Sequence, residues 1–306
     1  MSDPQSNIES QAHADWSGEG CSPSGWREER ERYRARLRPW VNDYLERSAR
    51  AAKHPVFDFL FTYYSYKPAY LLRWSPGHSR VLLDARREDL DWADYYEDIG
   101  GQLRIGLERF PMQRLESFHW IVDYLERTSI RPPVFSCFGL HEWAMLNDDG
   151  EVRHEVPLRL SRAQIVSTID SLALRCSHFD AFRFFTDSTR PKNSTLLSRA
   201  TVIDNDQPGC VHVAMDLYRY AFKFSPFIAS SILIDAFLLA CEARVLDMRA
   251  SPYDLSQFGF APIKIEEQAG REEYVKLQRA LHDKSRPLRA RLLEEYRGLK
   301  SRLSHP

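Results

Sequence analysis

Apolar positions recur at helical spacing along most of this chain. Over residues 111–128, Leu115, Phe118, Val122 and Leu125 share one face of a 3.6-residue period, which predicts an amphipathic helix. His119 lies beside that stripe as an ordinary helix residue. After His54-Pro55, where proline suits a first helical turn, Phe57, Leu60, Phe61 and Tyr64 line up the same way until Pro68 breaks the pattern. Residues 26–53 mix acids and arginines at spacings of three and four, which predicts a charge-laced helix that Pro39 kinks or breaks. Further on, Ser161 is placed to cap a helix running to about Ser171. Helices are also predicted over 209–224 and from Pro226 to about Arg249. A last one follows Gly270 to about Leu303, with Pro287 interrupting it.

Strand signals are sparse. Residues 79–84 suit a short strand, and Asp148-Asp149-Gly150 reads as a tight turn inside a small hairpin. Residues 174–185 alternate in a way that permits a strand. Cys176, His178, Asp180 and Phe182 would then share one face, and Arg175, Ser177, Phe179 and Arg183 the other. A helical reading instead turns His178 away from Cys176 and Asp180, and both readings stand at this point. The expectation is a mainly α protein, a single globular helical domain over 26–306 with one or two small β-hairpins. Residues 1–25, rich in Ser, Gly, Pro and Asp, read as a disordered tail.

Composition narrows the class. With 43% hydrophobic and 12% aromatic residues the chain can bury a large core. A net charge of −1 gives no general attraction to nucleic acid or to an anionic membrane. A locally basic element is 271–303, with ten Lys/Arg against five Asp/Glu. Five cysteines, an odd number without a Cys-x-x-Cys pair, make neither a disulfide framework nor a strong zinc site. The polar amino terminus has no signal-peptide core, and the longest apolar run is interrupted by Ser230, Ser231 and Asp235. A cytoplasmic protein without a membrane span is expected.

Reactive side chains concentrate between residues 135 and 255. Three short clusters each hold a cysteine, a histidine and an acid: Cys137 with His141 and Glu142, Cys176 with His178 and Asp180, and Cys210 with His212 and Asp216. His178 and Asp180 would share one face of a strand, whereas His212 and Asp216 lie one turn apart on a helix. Either pair can hold a metal, orient a catalytic imidazole, or simply tie two elements together. Glu142, in apolar surroundings, suits a general acid or a structural acid bonded to an arginine. Asp235, Glu242 and Asp247 put acids along an otherwise apolar helix, which is costly unless they are paired or functional; Arg244, Arg249 and Arg175 are available as partners. The expectation is that the imidazoles at 141, 178 and 212 meet around a common hollow.

The phrases HPVFDFLFTYYS (54–65), CFGLHEWAM (137–145), LRCSHFDAFRFFT (174–186), QPGCVHVAMDLY (207–218) and LDMRASPYDL (246–255) resemble a bacterial, largely actinobacterial family commonly labelled 3-methyladenine DNA glycosylase. The resemblance covers residues 54–300 and implies cleavage of an N-glycosidic bond without a cofactor. Such chemistry needs aromatic faces for a flipped base and a carboxylate for the developing sugar cation. Asp180 or Asp216, beside His178 or His212, would supply the carboxylate. Trp143, Phe182 and Tyr218 would wall the base, Arg175 would assist binding, and the basic carboxy-terminal segment would track DNA. An alternative is a metal-dependent enzyme acting on a small molecule, with His141, His178 and His212 among the ligands for iron, zinc or manganese. A third is a binding protein without catalysis.

Overall fold

The computed structural model describes residues 23–147, 152 and 154–304. It is mainly α, as the periodicity predicts, and the tail expected over 1–25 lies almost wholly outside the described residues. Those residues group into two compact units. One comprises Glu126–Asp216 and Leu239–Pro287; the other comprises the chain up to Leu125, Leu217–Leu238, and the chain from Leu288. No helix of the described residues is long and apolar enough to cross a membrane.

In the second unit the helix α1 (Pro23–Ala49) buries Trp26, Tyr33, Leu37 and Val41, spaced seven, four and four residues apart on one stripe. Its charged face is ordered by distant partners: Glu29 takes a two-pronged bond from Arg80 at 2.8 and 2.9 Å, and Arg34 reaches Asp91 at 2.6 Å. Where a kink or break was expected, α1 runs through Pro39 without a break. The proline removes one amide donor, but Leu37 and Val41 are buried on either side of it and hold the helix in register. The face predicted after His54 forms only a turn and the short helix α2 (Phe59–Thr62), and past Pro68 the chain makes a second short helix, α3 (Pro68–Leu71).

The strand predicted over 79–84 is β1 (Val81–Leu82), which joins β2 (Tyr96–Asp98) and β3 (Leu103–Ile105) in an antiparallel sheet of order β1-β3-β2. Gly100 and Gly101, at φ +62° and +85°, make the β2–β3 turn, a hairpin the alternation did not flag because each strand has three residues. The hairpin expected at Asp148-Asp149-Gly150 falls largely outside the described residues. Residues 154–160 form no strand beyond one bridge, Leu158 to Tyr253. Helix α4 (Leu115–Ile130) buries Phe118, Val122 and Leu125 and leaves His119 exposed, as expected. Phe118 meets Phe110, Phe224 and Tyr296 at 5.3–5.4 Å, the aromatic centre of this unit.

A buried pair in the same unit makes stability depend on pH. Glu295 Oε2 lies 3.5 Å from His78 Nε2 and has no hydrogen-bond partner. Burial, only partly offset by Arg291 and Arg80, pushes the Glu295 carboxyl up to about 7. A carboxyl whose pKa is higher folded than unfolded loses stability as pH rises through that interval. His78 acts oppositely: burial and Arg302 push it down to about 4, so its contribution grows as pH rises from there towards the ordinary histidine value. The two offset each other in mild acid, and the cost of Glu295 remains alone above pH 7. Glu295→Gln is therefore expected to raise the thermal midpoint at pH 8, by roughly 2–3 kcal/mol of stability, and to change little at pH 5. Equal shifts at both pH values would contradict this origin.

Candidate metal centre

All the side chains that converge belong to the first unit, and each is placed by a local device. Phe138 and Gly139 adopt left-handed backbone in succession, at φ +47° and +69°. This costs about 1–2 kcal/mol at the phenylalanine, and a Cβ at Gly139 would press on Ala250 Cβ at 3.3 Å. The turn launches α5 (Leu140–Ala144), whose Trp143 donates its indole N–H to the Ala250 carbonyl at 2.8 Å. Ala250 follows α10 (Ser230–Arg249), so α5 is fastened to the end of that helix. His141 Nε2 thereby comes 2.7 Å from Asp247 Oδ1, and Arg244 Nη1 bridges Glu142 Oε1 at 3.2 Å and Asp247 Oδ2 at 2.6 Å.

His212 arrives on α9 (Val211–Lys223). Before that helix, Gln207 Oε1 accepts from the amides of Val134 and Gly209 at 2.8 and 2.7 Å, and Gln278, on α11 (Gln268–Ser304), donates to the Gly209 carbonyl at 2.7 Å. Any Cβ at position 209 would stand 2.7 Å from the Val134 carbonyl, so only glycine fits. The His212 ring stands edge-on to His141, centroids 4.5 Å apart, with Nε2 4.0 Å from Asp247 Oδ2. Helix α11 continues through Pro287, where an interruption was expected. The arginine and lysine side chains it sends out include Arg291 to Asp235 and Lys284 to Glu242, which settle two of the acids that stripe α10.

His178 comes from a segment that is neither the expected strand nor a long helix. After the capped helix α6 (Arg162–Ser171), only Leu174 pairs, in a single bridge to Asn193; His178 then precedes the short helix α7 (Phe179–Phe182). The strand fails because Asn193 supplies the polar partners itself. Its side-chain oxygen accepts from the Cys176 amide at 2.8 Å, and its nitrogen donates to the Cys176 and Thr195 carbonyls at 2.9 and 2.7 Å. So held, the His178 ring stacks on His212 within 4° of parallel at 5.1 Å, with Nδ1 3.1 Å from Asp206 Oδ2 and Nε2 4.0 Å from Asp216 Oδ2. Asp206 follows the short helix α8 (Val202–Asn205). Asn193→Ala is expected to cost about 2 kcal/mol, from amides and carbonyls left unsatisfied. It should also loosen the His178–His212 stack, visible as displaced and broadened imidazole NMR signals; unaltered signals would show the stack to be held by something else.

Burial and charge set the protonation states. His212 is pushed well below its ordinary value by burial, by His141 and by His178 and Arg244, with Asp247 opposing, so its ring is neutral. Burial works against the charged form of His178, yet Asp206, Asp216 and Asp180 hold it up at about 9. Burial also opposes ionisation of Asp247, but His141 and Arg244 keep its carboxyl below the usual range. Cys137, Cys176 and Cys210 lie within electrostatic reach of one another, and burial raises all three. They are thiols at neutral pH, which disfavours both nucleophilic attack and metal ligation by sulfur.

The three imidazoles therefore do converge, as the sequence led us to expect, but with other acids. His178 faces Asp206 and Asp216, while Asp180 lies half-exposed beside Arg183. His141 and His212 face Asp247, and Glu142 takes the structural role of a carboxylate bonded to Arg244. Of the three histidines expected as ligands, His141 and His212 group with Asp247, their ligand atoms within 4.8 Å of one another; His178 does not join them. The aromatic walls are closed. Trp143 is fully buried, Phe182 packs on Phe185, and Tyr218, in the other unit, sits among Tyr64, Tyr66 and Phe237. Arg175 is exposed. The residues the sequence reading left out of the site are Asp247, Arg244 and Asp206. The signal for the first two was present, as an acid and an arginine three apart in an apolar helix.

Comparison with protein-family models, with curated proteins and with solved structures returns no match for this chain.

Proposed function

We propose that this protein is a metal-dependent enzyme acting on a small molecule, with His141, His212 and Asp247 as the ligands. The observation that carries this reading is the meeting of His141 Nε2 and Asp247 Oδ1. They are buried and 2.7 Å apart as an ion pair, and neither atom makes a hydrogen bond of good geometry. Buried polar atoms are rarely left so. A cation in front of both, with His212 as the third donor, satisfies them together. Two imidazoles and a carboxylate suit iron, zinc or manganese. A bound divalent ion would supply Lewis acidity, polarising a substrate oxygen or activating water. The chain's own contribution is to keep His212 neutral, Asp247 ionised and the ligands rigid on α5, α9 and α10.

The resemblance to proteins labelled as DNA glycosylases supplies the competing activity. It draws less support from the geometry, since Trp143, Phe182 and Tyr218 offer no open face for a base. Elemental analysis of purified protein tests the proposal, with about one equivalent of transition metal per chain expected, removable by chelator. Protein that neither carries nor takes up metal, or release of free base from alkylated DNA in the presence of chelator that is lost on Asp216→Asn, would overturn it.

A further inference from the structure

Among the described residues, the donors of the His141–His212–Asp247 group leave the centre short of a full set. Asp247 has two oxygens, but Arg244 Nη1 takes Oδ2 at 2.6 Å. That guanidinium cannot swing away, since it is 1% exposed and also bonded to Glu142 at 3.2 Å. Only Oδ1 remains for a cation, beside one nitrogen from each histidine. Among the described residues no fourth His, Cys, Asp or Glu joins the group. Divalent first-row ions take at least four donors, and sites that offer three protein ligands are the ones that bind water or substrate. The enclosure is also uneven. The His212 side chain is 14% exposed, whereas those of His141 and Asp247 are 4% and 0%, so His212 is the least covered of the three donors.

Resting on the metal reading above, we infer that Arg244 keeps a coordination position open by holding Asp247 to a single oxygen. The position takes a small oxygen-donor or anionic ligand, the class that includes hydroxide and a substrate carboxylate or carbonyl oxygen. Glu142 is then a positioning residue at one remove, because it fixes the guanidinium that fixes the carboxylate. Without Arg244 the carboxylate can turn both oxygens to the metal and fill the position itself.

The test uses cobalt(II) as the metal and azide as the ligand. Wild-type protein is expected to take up one equivalent of cobalt, and azide should change its visible absorption in a saturable way. The double variant R244M/E142Q removes the guanidinium without stranding the Glu142 charge. It should still bind one cobalt, but azide should bind about tenfold more weakly or not at all, the size of effect typical of residues that orient a ligand. If the double variant does not fold, R244K replaces it with the same expectation, since one ammonium cannot span both carboxylates. A wild-type cobalt spectrum indifferent to azide overturns the inference, as does unchanged azide affinity in the variant. No cobalt uptake by the wild type would instead sink the metal reading, so the two failures are distinct.

Discussion

On the metal reading proposed above, Asp247→Asn is expected to empty the centre. The substitution keeps the size of the side chain and one oxygen, but removes the only negative charge among the three donors. It also presents an amide where Arg244 now binds a carboxylate. A neutral oxygen is a poor ligand for a divalent ion, and the amide can turn its nitrogen towards His141. Loss of an outer residue that merely orients a ligand typically costs 10–100-fold in affinity. For the charged ligand itself, affinity measured by chelator competition should fall by more than about a hundredfold. Asp247→Asn protein that retains a full equivalent of metal would place the centre elsewhere.

Arg244→Ala is expected to be among the most damaging single changes for stability. Arg244 is almost completely enclosed, and its guanidinium is shared between two carboxylates that are themselves buried, Glu142 and Asp247. Removing one partner of such a group strands charge in a medium that solvates it poorly and costs about 3–5 kcal/mol. For a chain of this size that corresponds to roughly 5–8 °C in thermal midpoint. The measurement belongs in chelator, so that no metal ion stands in for the lost positive charge. Adding Glu142→Ala to Arg244→Ala should recover part of the loss, because the double variant no longer strands the Glu142 charge, while Asp247 keeps His141 at 2.7 Å. A loss below about 1 kcal/mol would mean that the two acids are protonated or reached by water.

Helices were legible wherever a stripe of apolar residues was long. The predicted segment at 111–128, the helix capped by Ser161, and the segment at 209–224 all lie within a few residues of α4, α6 and α9. Proline misled in two places. Pro39 and Pro287 each remove only one helical hydrogen bond, and the buried side chains around them keep the helix going. At the centre, spacing along the chain located the histidines but paired them with the wrong acids. Asp180 and His178 are two apart, and Asp216 and His212 four apart, so local geometry made them natural couples. What set the actual pairs was tertiary: the Trp143–Ala250 bond, the Gln207–Val134 and Gln278–Gly209 bonds, and the Asn193 clamp. None of these leaves a periodic trace. Asp247 was visible only as an expense, a carboxylate in an apolar helix with no stated reason to be there.

The division into two units carries a consequence for anyone who would dissect this protein. The boundaries within the described residues, after Leu125, Asp216, Leu238 and Pro287, each fall inside an α-helix, and neither unit is one stretch of chain. No pair of cuts in the gene therefore yields either half intact, and a graft of the half that holds His141, His212 and Asp247 onto another scaffold would have to carry severed helices with it. The working piece, for expression, exchange or inheritance, is the whole.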